Sequence, residues 1–193
     1  MIAAKPRAKT CRYCKAQFMP ARPLQKVCGW QCAAVLALKD HAKRDAKEAA
    51  KERAADRVKR EAMKRLPELI AETQRTFNAY IRERDKGKPC ICCGQALHSG
   101  EIGGAFDCGH YRSTGSAAHL RFDERNAHGQ RKQCNRYGAG RAVDYRIGLI
   151  ARIGREAVEA LESDNAIRRW TRDELRALKA TYAAKLRELK ETA

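Results

Sequence analysis

Cys90-Ile91-Cys92-Cys93-Gly94, Asp107-Cys108-Gly109-His110-Tyr111-Arg112, Asn126 and Cys134-Asn135 follow one another in one stretch of the chain. Thiols at such spacing suit zinc in a reducing compartment. Hydrolysis of a phosphodiester needs a base to activate water and a cation to take up charge on the leaving oxygen, and this window offers donors for both. Glycines 94, 100, 103, 104, 109 and 115 read the stretch from Gly94 to Arg125 as a short hairpin carrying His110. Asn126 then leads into a helix expected to begin close to Cys134. Zinc held by Cys90, Cys93 and Cys134 would pin the hairpin base to that helix and set His110 opposite Asn135, a ββα-metal arrangement.

A second thiol set lies upstream. Cys11 and Cys14, then Cys28 and Cys32 after a thirteen-residue gap, make a complete tetrahedral ligand set for one zinc. Tyr13, Phe18, Val27 and Trp30 are the apolar residues available to pack around it, and Pro20 and Pro23 punctuate the loop. So short a segment has too little apolar surface to fold without metal. Nine cysteines exceed the eight that two such sites would use. With no signal-peptide core after Met1, the chain is expected in a reducing cytoplasm, with thiols rather than disulfides.

The elements around these residues are mostly helical. Of 193 residues 33% are charged and only 6% aromatic, which favours small metal-stapled units over one large core. The formal charge of +18 points to a polyanionic partner, DNA or RNA. An anionic membrane is a poorer partner, since no apolar run approaches about 18 residues. From Ala33 to Leu66 the chain is rich in Ala, Lys, Arg and Glu and reads as a solvated basic helix. Leu69, Ile70, Thr73, Phe77, Tyr80 and Ile81 mark a second helix with an apolar face. Val143, Ile147 and Ile150, then Ala157, Val158 and Leu161, mark two short ones split near Gly154. Thr171 and Glu174 resemble a capping box opening a last helix, whose stripe of Leu175, Leu178, Tyr182, Leu186 and Leu189 is core or a self-association surface. The expected plan is mainly α with small zinc-stapled units: a finger over 1–35, a linker helix over 36–67, a ββα-metal core with its leading helix over 68–141, and C-terminal helices over 142–193.

Taken together, the finger, the basic helix, Phe77-Asn78-Ala79-Tyr80-Ile81-Arg82-Glu83-Arg84-Asp85, Gly109-His110-Tyr111-Arg112, Leu120-Arg121-Phe122-Asp123-Glu124-Arg125-Asn126, Cys134-Asn135 and Tyr145-Arg146 resemble the NinG (Rap) recombination proteins of lambdoid phages, within the HNH-type nucleases. The resemblance implies an endonuclease that cuts branched DNA, including Holliday junctions. It implies His110 as general base, Asn126 as the amide bracing its loop, and Asn135 as a ligand of one Mg²⁺. Asp107 is the nearest carboxylate for a second ligand, since Gly109 stands where many HNH proteins carry an acid. Opposed cuts at a symmetric junction imply a homodimer, with the C-terminal stripe a candidate surface, and phage recombination proteins are implied as partners. Arg112, Arg121, Arg125, Arg131, Lys132 and Arg136 are candidates to hold phosphates.

The chain departs from this family at Arg131, where relatives place a cysteine three residues before the one preceding the final Asn. Cys108, Cys92 and His128 are the candidates to complete the second zinc site. Two other readings stand beside the junction nuclease. One is a non-catalytic zinc-finger protein that binds nucleic acid through its basic helix; the other is a restriction-type enzyme acting on ordinary duplex.

Overall fold

The computed structural model describes residues 7–97 and 106–192. Gly100, Gly103 and Gly104 lie outside the described residues. The chain forms two compact units, Met1–Met63 and Lys64–Ala193. The expected divisions at residues 35 and 141 fall inside these units.

In the first unit β1 (Lys9–Thr10) pairs antiparallel with β2 (Gln17–Phe18), and α1 spans Trp30–Met63. Cys11 follows β1 and is fully buried, while Cys32 sits in the first turn of α1. The expected apolar packing is thinner than the residue types suggest, because Trp30 is 77% exposed and Tyr13 faces solvent. Among the described residues around the four thiols only Cys11 is buried, with Phe18 and Val27 half-buried near it in sequence. No residue of α1 is buried. Alanine is too small to make a packing face, and the helix rests on propensity and exposed pairs such as His41 with Asp45 at 2.7 Å.

The second unit is built on α2 (Leu66–Arg84) and α5 (Arg172–Glu191). Pro67 suits the first turn of α2, and Glu68 accepts a bond from the Arg65 backbone N–H at 2.7 Å. Leu69, Thr73, Phe77, Tyr80 and Ile81 are buried, and Leu175, Leu178, Tyr182, Leu186 and Leu189 pack with them. Phe77 and Tyr182 meet edge to face at 4.8 Å, and the Thr73 hydroxyl bonds the Leu175 carbonyl at 3.1 Å. The C-terminal stripe is thus core, covered by α2 of the same chain, and not a free self-association surface. The capping box is present: Thr171 Oγ1 accepts from the Glu174 N–H at 3.2 Å, and the Glu174 carboxylate accepts from the Thr171 N–H at 2.8 Å.

Against this pair lies an antiparallel hairpin of β3 (Phe106–His110) and β4 (Ala127–Arg131), in register from Phe106↔Arg131 to His110↔Ala127. The second strand is the segment after Asn126, so the hairpin does not close within Gly94–Arg125. The connection contains a short 3₁₀ turn at Ala118–Leu120. After β4 comes one π-type turn, Gln133–Tyr137, in place of the expected regular helix. Then follow α3 (Ala142–Ile153) and α4 (Arg155–Ser163), divided at Gly154 with φ 87°. Tyr145 and Leu149 are the buried face of α3, whereas Val143 is 76% and Ile147 64% exposed. At Gly148 a Cβ would stand 1.8 Å from the Ile91 carbonyl oxygen, so α3 seats directly on the Cys90–Cys93 backbone. No helix among the described residues is long and apolar enough to cross a membrane.

Asp85, fully buried at the end of α2, ties these parts together. Its carboxylate accepts from the Gly129 N–H of β4 at 2.8 Å, from Arg84 at 2.9 and 3.0 Å, and from Lys88 at 3.1 Å. Arg152 of α3 approaches to 3.5 Å. Burial alone would raise its pKa, but His128, Arg84 and the Gly129 amide overcome that and hold it far below the usual carboxylate value. Stabilisation from a depressed carboxylate is complete above the ordinary pKa of 3.8 and is lost as pH falls towards the folded value. Asp85→Ala leaves Arg84 and its neighbours uncompensated and is expected to cost about 3–5 kcal/mol, read by urea unfolding at neutral pH. A loss below about 1 kcal/mol would show the network to be peripheral.

Candidate functional site

His110 ends β3. Its Nε2 lies 3.0 Å from the carbonyl oxygen of Arg121, which can only accept. Nε2 therefore carries the hydrogen, and Nδ1 is the nitrogen able to take a proton. Phe77 stands beside the ring at 6.0 Å between centroids. Burial pushes the imidazole pKa below its ordinary 6.5, against the opposing bond to Arg121, so the ring is neutral at pH 7.

Asn126 holds the loop that holds His110. Fully buried, it accepts from the Arg112 N–H at 2.8 Å and donates to the carbonyls of Arg112 at 3.0 Å and Leu120 at 3.1 Å. An amide with both donors and its oxygen engaged cannot turn without breaking several bonds. The Leu120 carbonyl it grips immediately precedes Arg121, whose carbonyl orients the imidazole. Tyr145 adds a bond from its hydroxyl to the Gly109 carbonyl at 2.9 Å.

The remaining pair sits elsewhere on the strand. Asn135 donates to Asp107 at 3.1 Å, and Arg136 closes on the same carboxylate with two bonds at 2.7 and 2.9 Å. Burial opposes ionisation of Asp107, yet these bonds win and its pKa is lowered. Asp107 and His110 are three residues apart, so their side chains leave opposite faces of β3, with Cα atoms roughly 10 Å apart. The expected placement of His110 opposite Asn135 is not what the fold gives. The reason is register: the residues after Arg131 emerge beside Phe106, at the start of β3, while His110 pairs with Ala127 at its far end. The structure joins Asn135 to Asp107, and His110 to the loop of Asn126.

Several of the candidate phosphate-binding arginines are engaged within the protein. Arg112 donates to the Leu161 carbonyl at 3.0 Å, to those of Glu162 and Asp164, and to Asn165. Arg121 donates to Gln74 at 3.2 Å and the Thr114 carbonyl at 3.0 Å. Arg125 pairs with Asp123 at 2.7 Å. A guanidinium has five donors and satisfies several carbonyls at once, which suits a chain so poor in regular sheet. Arg84 does the same for Ala127 and Glu124, and with Asp85 is a structural feature that the spacing of residues does not reveal.

Both thiol sets converge. The sulfurs of Cys11, Cys14, Cys28 and Cys32 lie within 4.8 Å of one another, with Cys14–Cys28 at 3.6 Å and Cys28–Cys32 at 3.5 Å. Bonds of about 2.3 Å to a tetrahedral zinc separate sulfurs by roughly 3.8 Å, so this donor set fits the ion. Cys90, Cys93 and Cys134 likewise lie within 4.8 Å, and the Arg131 N–H points to Cys90 Sγ at 3.3 Å. Cys108 does not join them. It is buried with Phe77 and Phe122 in the core beside α2, since strand alternation carries it to the face opposite Asp107. His128 accepts from Arg84 at Nδ1, at 3.1 Å, and faces the Arg125 carbonyl with Nε2, at 3.1 Å, so neither nitrogen is available. Cys92 accepts from Gln130 at 2.8 Å and is not among the three converging sulfurs.

Comparison with known proteins matches the sequence, over nearly its whole length, to a family. The family model described as "NinG: Bacteriophage Lambda NinG protein" matches residues 3–192. The chain is similar to Protein ninG of Escherichia phage 933W, 41% identical over 202 residues that cover 97% of this chain and 96% of that protein. It is 39% identical to Protein ninG of Escherichia phage lambda over 206 residues, covering 98% and 97%. The same identity and coverage hold for Protein ninG of Salmonella phage P22. No solved structure matches. With both thiol sets, the hairpin and the α2–α5 pair all inside the matched residues, the chain belongs to the NinG family of lambdoid phage proteins.

Proposed function

We propose that this chain is a metal-dependent endonuclease acting on branched DNA in phage recombination. The observation that carries the reading is His110: a neutral imidazole at a strand end, fixed through Nε2 by a carbonyl that Asn126 in turn holds in place. That is the construction a general base needs, because its pKa and aim are both set before substrate arrives. Nδ1 takes the proton from the attacking water, and the buried amide of Asn126 keeps the ring from turning. Asp107 and Asn135 are the oxygen donors that would hold Mg²⁺. Since Asp107, with Asn135 bonded to it, leaves β3 on the face opposite His110, that ion would hold a phosphate beside the strand and would reach the leaving oxygen only if DNA wraps the strand end. Arg136 occupies Asp107 and must move for the carboxylate to serve as a ligand. The charge of +18 suits long-range attraction of DNA. Two opposed cuts call for two copies of the chain, with a contact other than the α5 stripe.

One observation favours a second reading, a zinc-knuckle protein that binds DNA without cutting it. Asp107 is sealed by Arg136, and it leaves β3 on the face opposite His110.

A labelled four-way junction incubated with the protein and Mg²⁺ is expected to be nicked, and a linear competitor of equal length to be cut more slowly. His110→Ala should bind the junction as before and cut about 10²–10⁴-fold more slowly; equal cutting would remove His110 from the mechanism. Binding without cleavage in both Mg²⁺ and Mn²⁺ would establish the second reading. Because burial lowers the imidazole pKa, the base form persists below pH 6.5, so the rate should be level through neutrality and fall only in more acidic buffer. A rate that still climbs between pH 7 and 8 would place the proton acceptor elsewhere. Arg136→Ala should tighten Mn²⁺ binding, followed by electron paramagnetic resonance, if Asp107 is a ligand.

A further inference from the structure

The second thiol set has three sulfurs and an opening. Cys90 and Cys134 are 2% and 4% exposed, but Cys93 is only half-buried. Cys93 and Cys134 line a surface cleft of about 460 Å³, whose other walls include Arg131, Gln133, Tyr137 and Arg141. Tyr137 is 85% exposed, so the cleft is wet.

Among the described residues no fourth ligand atom converges with the three sulfurs. At position 131 the backbone N–H already serves Cys90, and the side chain is drawn outward to Gln95 Oε1 at 2.7 Å. That bond also holds the Gln95 oxygen to a guanidinium. Cys92 packs against the same cluster and its thiol meets Cys90, but its sulfur accepts from Gln130, whose amide also reaches the Gly140 carbonyl at 2.8 Å, and it is not one of the three sulfurs that converge. Cys108 and His128 are committed elsewhere, as described above.

We propose that Cys90, Cys93 and Cys134 bind zinc through three thiolates and leave its fourth position open to one exogenous ligand entering from this cleft. The chemistry selects what enters. Zinc with three thiolates is soft, which favours another sulfur donor over oxygen. The three-thiolate complex carries one negative charge and a fourth thiolate makes it two. Arg131, whose side chain is bonded among the described residues only to the neutral Gln95 amide, lines the cleft to offset it, while Arg141 beside it is shared with Asp144 at 2.7 Å. The ligand class is a small monodentate thiolate, with water in its place when no thiol is present. The site does not depend on whether the chain cuts DNA.

The test uses the full-length protein and Co²⁺, whose absorption reports the number of sulfur ligands. The Cys11–Cys32 set should give a four-sulfur spectrum with one equivalent. The second equivalent should give a three-sulfur spectrum that converts to a four-sulfur one on addition of β-mercaptoethanol. Arg131→Cys should show four sulfurs at both sites, no response to the thiol, and at least tenfold tighter zinc retention at the second site against a chelator. Cys92→Ser should keep the wild-type spectra and the thiol response. The proposal is overturned if wild-type protein shows four sulfurs at both sites before thiol is added, if Cys92→Ser loses a sulfur ligand, or if the second equivalent does not bind. The thiol titration of wild-type protein decides the matter even if Arg131→Cys fails to fold.

Discussion

A single buried carboxylate organises the larger unit. Asp85 lies where α2 ends, and the Gly129 amide, Arg84, Lys88 and Arg152 approach it from strand, helix and loop. A lone charge in such a place would cost several kcal/mol, so its partners are obligatory. Because they come from α2, β4 and α3, satisfying one charge fixes three elements at once. Gly129 is part of the same requirement: a Cβ there would stand 2.5 Å from Leu97 and 3.1 Å from Asp85. A side chain there would have to displace Leu97 and would crowd Asp85 itself.

The same logic extends along the hairpin. A two-stranded sheet has few ladder bonds, and the long connection from Tyr111 to Asn126 adds mainly local turn bonds, such as Ala117 N–H to the Ser113 carbonyl and Asn126 N–H to the Asp123 carbonyl. Side chains substitute for the missing ladder. Asn126 closes the connection from within, Arg112 fastens it to the end of α4, and Arg121 fastens it to α2. Rigidity at His110 therefore comes from polar side chains bonded to backbone groups, and the arginines near it serve the fold before they serve any phosphate.

What the sequence makes legible follows the range of the interaction. The α2 face, the Thr171 box, the α5 stripe and the break at Gly154 are local patterns, and the structure has them. The two thiol sets are legible because ligands advertise themselves by type and spacing. The partner strand of β3 is not legible, since a connection of that length carries no turn signal to fix the register. Val143 and Ile147 mark α3 by their helical spacing but lie exposed, and Tyr145 and Leu149, on the other side, are the buried ones. Asp85 is invisible to any pattern of apolar residues, and His110 with Asn135 could be placed on one site only by assuming a register that the strands do not adopt.

Gly148 joins two things that chemistry would otherwise keep separate. With its α-carbon against the Ile91 carbonyl, α3 meets the Cys90–Cys93 turn backbone to backbone, so a shift of either presses on the other. An ion held by Cys90, Cys93 and Cys134 would therefore be linked to the docking of α3, each favouring the other by the same free energy, and one glycine would carry that coupling into the C-terminal helices.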